Sequence, residues 1–138
     1  MIIKYNGYKP THGTEQSTGW DIALAETLVM DQTPGTLYFG RTHLRLAIPY
    51  GVDGQLRPRS SLGRLGLLLA GVGTIDADYR GESLIPLFKL GSEPLTVPAG
   101  TRLAQIVFTY AVHVSWTSEN HLVATARGEG GFGSTGSV

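Results

Sequence analysis

Leu84-Ile-Pro-Leu-Phe-Lys-Leu-Gly-Ser-Glu-Pro-Leu-Thr-Val-Pro-Ala-Gly-Thr-Arg-Leu-Ala-Gln-Ile-Val-Phe-Thr-Tyr110 holds two apolar stretches, Leu84 to Phe88 and Arg102 to Tyr110. Between them sit Gly91-Ser-Glu-Pro94 and Pro98-Ala-Gly100, clusters of the residues that reverse a chain. The same alternation continues outward on both sides. Apolar stretches recur at Trp20 to Leu24, Gly35 to Phe39, Leu44 to Pro49, Leu65 to Leu69 and Val112 to Trp116. Turn signals stand at Thr33-Pro-Gly35, Tyr50-Gly-Val-Asp-Gly54 and Ala70-Gly-Val-Gly73. A turn about every ten residues predicts many short strands in an all-β sandwich or barrel. Helical periodicity is weak: only Ser61 to Leu69 has room for a turn or two, and Gly63 and Gly66 argue against more.

A chain of 138 residues fits one domain with its own core. Formal net charge is zero and charged residues are only 16%, so no global basic field is present to hold a nucleic acid polymer. A small anion needs only a local arginine cluster. The absence of cysteine excludes disulfides and thiolate metal sites. No basic leader and no long apolar run is found, so a cytoplasmic protein without membrane attachment is expected.

The segment Arg127-Gly-Glu-Gly-Gly-Phe-Gly-Ser-Thr-Gly-Ser-Val138 contains five glycines, one arginine, one aromatic ring and several hydroxyls. It formally matches a dinucleotide fingerprint and a phosphate loop lacking its lysine, but each of those needs a following helix. By composition it is a Gly/Ser terminus with no packed element. By chemistry it is a clasp: glycine N–H groups line an anion, Arg127 neutralises it, Ser134 and Thr135 donate to it, and Phe132 lies on a base. This divides the chain into a β domain, 1–126, and an arm, 127–138.

Pro58-Arg-Ser-Ser-Leu-Gly-Arg64 puts two arginines and two hydroxyls together, a phosphate site or a solvated turn and helix cap. Gly73-Thr-Ile-Asp-Ala-Asp-Tyr-Arg-Gly-Glu82 places Asp76 and Asp78 on one strand face if the segment is extended throughout, as a base, a metal site or simply a polar hairpin. His12, His43, His113 and His121 have no metal-ligand spacing. Gly19-Trp-Asp-Ile-Ala23 sets an aspartate beside an aromatic ring.

In order, Gly19 to Ala23, Pro58 to Leu62, Gly73 to Glu82, Gly100-Thr-Arg-Leu-Ala-Gln-Ile-Val-Phe108 and Arg127 to Gly136 resemble the five motifs of the trimeric dUTPases, the deoxyuridine 5′-triphosphate nucleotidohydrolases. The third and fifth are the most specific. The resemblance implies a jelly-roll-like β fold (a β-clip) forming a homotrimer, with each flexible C-terminal arm closing over a site shared between subunits. It implies magnesium-assisted hydrolysis of dUTP to dUMP and pyrophosphate, which keeps uracil out of DNA and supplies dUMP for thymidylate synthesis. On this resemblance Asp76 activates the attacking water, and Tyr79 packs under the deoxyribose. The main chain of Gly71 to Asp76, with Thr74 and Ile75, reads the uracil, while Arg59, Ser60, Ser61 and Gln105 contact phosphates. Arg127, Gly133, Ser134 and Thr135 clasp the terminal phosphate, Phe132 stacks on the base, and Asp21 reaches Mg2+ through water.

Two departures stand out. Many family members have an asparagine near the third motif's hairpin, where this chain reads Ala70-Gly71, and a lysine near Ser83-Leu84. Arg59-Ser-Ser-Leu-Gly-Arg-Leu-Gly66 also resembles the second motif of dCTP deaminases. Their catalytic glutamate, however, falls by spacing on Pro86, which neither takes nor gives a proton. A third possibility is a regulatory protein that keeps the fold and acts by partner contact.

Overall fold

Strand β11, Arg102–Tyr110, is the spine of the molecule. The computed structural model describes residues 1–31 and 33–131; among these the elements are eleven strands and one short 3-10 helix. The chain is all-β and antiparallel, as expected.

Around β11 a four-stranded sheet forms. β2, Trp20–Ala23, lies on one side, and on the other β6, Val52–Pro58, is followed by β8, Gly73–Ile75. Period-two alternation sends Ile22, Leu56, Ile75, Ala104 and Ile106 into one buried core. The core is completed by a three-stranded sheet of β4 (Leu37–Gly40), β9 (Ile85–Lys89) and β7 (Leu67–Leu69). Two strand pairs finish the fold: β1 (Lys4–Asn6) with β5 (Arg45–Ala47), and β3 (Leu28–Met30) with β10 (Leu95–Val97).

Several sequence expectations are revised. Tyr50 to Gly54 reads as a turn, yet the turn closes at Pro49–Val52 and β6 runs straight through Gly54. A Cβ at Gly54 would lie 3.2 Å from Ile48 and 3.4 Å from Ile75 and Ile106, so this glycine serves close packing rather than chain reversal. Asp76 and Asp78 do not share a strand face, because β8 ends at Ile75 and the Tyr79 N–H donates to the Asp76 carbonyl at 3.1 Å, closing a turn. Val112 to Trp116 keeps its alternation but joins no strand among the described residues. Val112, Val114 and Trp116 are 85%, 62% and 92% exposed.

The Ser61 to Leu69 segment behaves as expected. Its helical part is only Leu62–Leu65, ended by Gly66 at φ 66°, after which β7 begins. No helix among the described residues is long and apolar enough to cross a membrane.

Candidate functional site

The register of the four-stranded sheet assembles a polar surface opposite the core. Asp21 on β2 pairs with Gln105 on β11, and Gln105 pairs with Arg57 on β6, so three polar side chains stand in one row across three strands. The next rows on this face are Val107, Gln55 and Thr74, then Thr109 and Asp53. Over the first row opens a cleft of about 630 Å³, whose lining includes Gly19, Asp21, Arg57, Arg59, Ser60 and Gln105.

Charge in the cleft is ordered. Asp21, largely buried, receives Arg59 Nε at 2.9 Å on one carboxylate oxygen and Arg102 Nη1 at 3.3 Å on the other. Arg59 Nη1 also donates to the Arg102 carbonyl at 3.1 Å, which fixes the plane of its guanidinium. Gln105 Nε2 donates to the Pro58 carbonyl at 3.1 Å, tying the fourth motif to the start of the second. Gly19 explains itself here: a Cβ would overlap the Gln105 side chain, so only glycine lets that amide sit in the row. Ser61 occupies the N-cap of the 3-10 helix without spending its hydroxyl on a cap hydrogen bond. His12 stacks on Trp20 with centroids 4.3 Å apart, an aromatic contact rather than a ligand role.

Arg59 also borders a second cavity, about 250 Å³, between the second motif and Leu67 to Leu69, whose lining includes Gly71. The backbone at Gly71 has φ 104°, a conformation suited to glycine. Beyond it Thr74 shares the polar face, whereas the Ile75 side chain is buried and leaves only main chain for a ligand.

Asp76 and Tyr79 line neither cavity; Asp76 is exposed and Tyr79 is 46% exposed. The Tyr79 hydroxyl donates to the Glu82 carbonyl at 3.2 Å, and a Cβ at Gly81 would overlap its ring, so the aromatic plane is set by its own loop. Arg80 Nη1 donates to the Ala77 and Tyr79 carbonyls at 2.7 and 2.9 Å, bracing the turn. Arg127 closes a local turn, donating from Nε to the Gly130 carbonyl at 2.9 Å. Phe132, Gly133, Ser134 and Thr135 lie outside the described residues. One chain therefore brings together Asp21, Arg59, Ser60 and Gln105, with Gly71 next to them across Arg59, and does not bring Asp76, Tyr79 or Arg127 to the same cleft.

Sequence reasoning missed Arg57, Arg102 and Glu82. The signal for Arg57 was strand alternation through Asp53, Gln55 and Arg57. Arg102 and Glu82 gave none, since their partners are remote in sequence. Glu82 anchors the third motif: its carboxylate accepts from Arg41 Nη2 at 2.8 Å and from the Thr42 and His43 N–H groups at 2.9 and 2.8 Å. These bonds hold His43 in the left-handed region, φ 53°. The Arg41 guanidinium, opposed by burial and assisted by the two N–H groups, pulls the Glu82 carboxyl down from 4.5 to about 2.

A carboxylate whose pKa is lowered on folding stabilises the fold fully above its unfolded value, and that stability drains away as pH falls toward the folded one. The thermal midpoint is thus expected to fall between pH 4.5 and about 2. Glu82→Gln should cost about 2 kcal/mol at neutral pH and flatten that acid limb. Melting curves of both proteins across this range check it.

Comparison with known proteins follows the same residues. The family model described as dUTPase matches residues 6–136. A deoxyuridine 5′-triphosphate nucleotidohydrolase of Rickettsia akari is 38% identical over 137 residues, covering 98% of this chain and 93% of the relative. One of the same name from Desulfotalea psychrophila is 42% identical over 129 residues, covering 92% and 86%. In three dimensions the chain is similar to a Staphylococcus bacteriophage 80alpha dUTPase with dUPNHPP, at a TM-score of 0.87, 23% identity and 99% coverage of each chain. A match from residue 6 to residue 136, joined to near-full-length relatives at about two-fifths identity, makes this chain a member of the dUTPase family.

Proposed function

We infer that this chain is a dUTP diphosphatase, hydrolysing dUTP to dUMP and pyrophosphate, which keeps uracil out of DNA and supplies dUMP for thymidylate synthesis. The observation that carries the reading is the family match, running through the cleft where Arg59, Ser60 and Gln105 converge. In the mechanism we propose, Arg59, Ser60, Ser61 and Gln105 hold the triphosphate and spread its charge over fixed donors. Main chain from Gly71 through Thr74 and Ile75 to Asp76 reads the uracil edge. Asp76 orients a water in line with the α-phosphorus and accepts its proton as the new P–O bond forms. The bond from the α-phosphorus to the bridging oxygen breaks, and its electron pair leaves with pyrophosphate. Arg127, Ser134 and Thr135, with Gly133 and a stacked Phe132, clasp the terminal phosphate and exclude water.

Magnesium fits this donor set at one remove. No group of three or more His, Asp or Glu gathers among the described residues, and both Asp21 oxygens already face arginines. Mg2+ keeps several waters and takes substrate phosphate oxygens, so Asp21 would hold it through water. When bound it offsets triphosphate charge.

We further propose a homotrimer with shared sites. Asp76 and Tyr79 stand apart from the cleft of their own chain, so a second copy supplying its third motif would complete each site. The unpaired apolar alternation of Val112, Val114 and Trp116 supports an intersubunit contact. Light scattering checks this directly. On this reading the enzyme works in the cytoplasm.

The assay is pyrophosphate release from dUTP, dCTP and UTP. Release from dUTP alone supports the proposal; ammonia from dCTP points to a deaminase, and silence with all three to a protein acting by partner contact. Tyr79→Ala should raise the UTP-to-dUTP ratio of kcat/KM at least about tenfold, because the ring would no longer fill the space of a 2′-hydroxyl. An unchanged ratio would assign ribose discrimination to another residue.

A further inference from the structure

Arg57 faces the phosphate cleft from a position outside the Arg59-Ser-Ser61 motif. It shares one face of β6 with Asp53 and Gln55, and hydrogen bonds link the three in file. Thr109 Oγ1 donates to Asp53 Oδ1 at 2.6 Å; Gln55 Nε2 donates to Asp53 Oδ2 and to Thr109 Oγ1, each at 3.2 Å. With its nitrogen directed there, the Gln55 amide must present oxygen at its other end, and Arg57 Nη2 donates to that oxygen at 2.8 Å. Asp53 therefore orients Arg57 through a neutral amide without neutralising it. Among the described residues no carboxylate lies within ion-pair distance of Arg57, whereas Arg59 and Arg102 share Asp21. A guanidinium aimed and left without an ion-pair partner, in a cleft also lined by Ser17, Ser60, Arg59 and the arginine-paired Asp21, matches a polyphosphate oxygen.

We propose that Arg57 is a further polyphosphate-binding residue of this site, taking the portion of dUTP that leaves as pyrophosphate and held in position by the Asp53–Thr109–Gln55 ladder. The assignment rests on the dUTPase reading for its substrate, but its probe does not. Calorimetric titration of the full chain with inorganic pyrophosphate and Mg2+ should show affinity falling about tenfold in Arg57→Gln and partly recovering in Arg57→Lys. The KM for dUTP should rise in parallel, while inhibition by deoxyuridine, which has no phosphate, stays the same. Gln55→Leu keeps the charge but removes the oxygen that aims it, and should lose about threefold in pyrophosphate affinity. Unchanged pyrophosphate affinity in Arg57→Gln overturns the proposal, as does equal weakening of pyrophosphate and deoxyuridine. Should Arg57→Gln fail to fold, unchanged affinity in Gln55→Leu overturns it instead. A wild-type chain that binds pyrophosphate but leaves dUTP intact would overturn the substrate reading, and the titrations would still decide Arg57.

Discussion

Asp76→Asn lowers turnover of dUTP by about 10²–10⁴-fold while the affinity for a non-hydrolysable dUTP analogue changes by less than about threefold. The expectation follows from where the side chain sits. Asp76 comes immediately after the last residue of β8, at the start of a turn closed by its own carbonyl and the Tyr79 N–H. Its carboxylate is used by no hydrogen bond or ion pair among the described residues. An amide of the same size therefore leaves the turn, the core and the proposed phosphate donors as they are and removes only the capacity to take a proton. Single-turnover hydrolysis beside analogue titration separates the two effects. Equal loss of affinity and turnover would make Asp76 a binding group, and unchanged turnover would remove it from the chemistry.

Ending the chain before Arg127 should lower kcat/KM at least about a hundredfold and move the thermal midpoint by less than about 2 °C. The buried apolar residues run from Ile22 to Val107, and the last described strand ends at Tyr110. Past that point the described residues pack into no core: Leu122 and Val123 are almost wholly exposed, and the turn at Arg127 to Gly130 closes on itself. Among the described residues removal therefore costs no apolar burial, while it takes away the arginine, hydroxyls and ring proposed to seal the nucleotide. Differential scanning calorimetry and steady-state kinetics on one preparation decide the matter. Loss of the cooperative transition along with activity would make the segment structural.

The most legible strand was one that begins just past a turn signal. Arg102 to Tyr110 was bounded to the residue, because a run rich in β-branched and aromatic residues follows the Pro98-Ala-Gly100 turn. Lys4–Asn6 and Leu95–Val97 were invisible, the first being polar and exposed and the second confined between Pro94 and Pro98. Gly54 misled because glycine in a turn and glycine beneath a crowded isoleucine cluster look alike until the third dimension is known. In the site, the arginine–serine cluster stood out by residue type, whereas Gln105 was marked only by the resemblance of Gly100 to Phe108 to a family motif. Arg57 had neither mark, since its importance comes from a hydrogen-bond ladder whose far end, Thr109, is on another strand. The Asp21 clamp on Arg59 and Arg102 is likewise a product of strand pairing and has no local sequence mark.

Strand β11 lies between β2 and β6, although it is the last of the three in chain order. Neither flanking strand can find the other without it, so the Asp21–Gln105–Arg57 row has no partial form. Pairing across such sequence separations is slow, because loop closure must be accomplished before the contacts reward it. A growing polypeptide would hold two arginines, an aspartate and much of its apolar surface unsatisfied until residues 102–110 arrive, then gain core and polar cleft in one step. Sheet closure and construction of a chain's own polar cleft are in this way a single step, and on the trimer reading each site is completed only later, when a second copy brings its third motif.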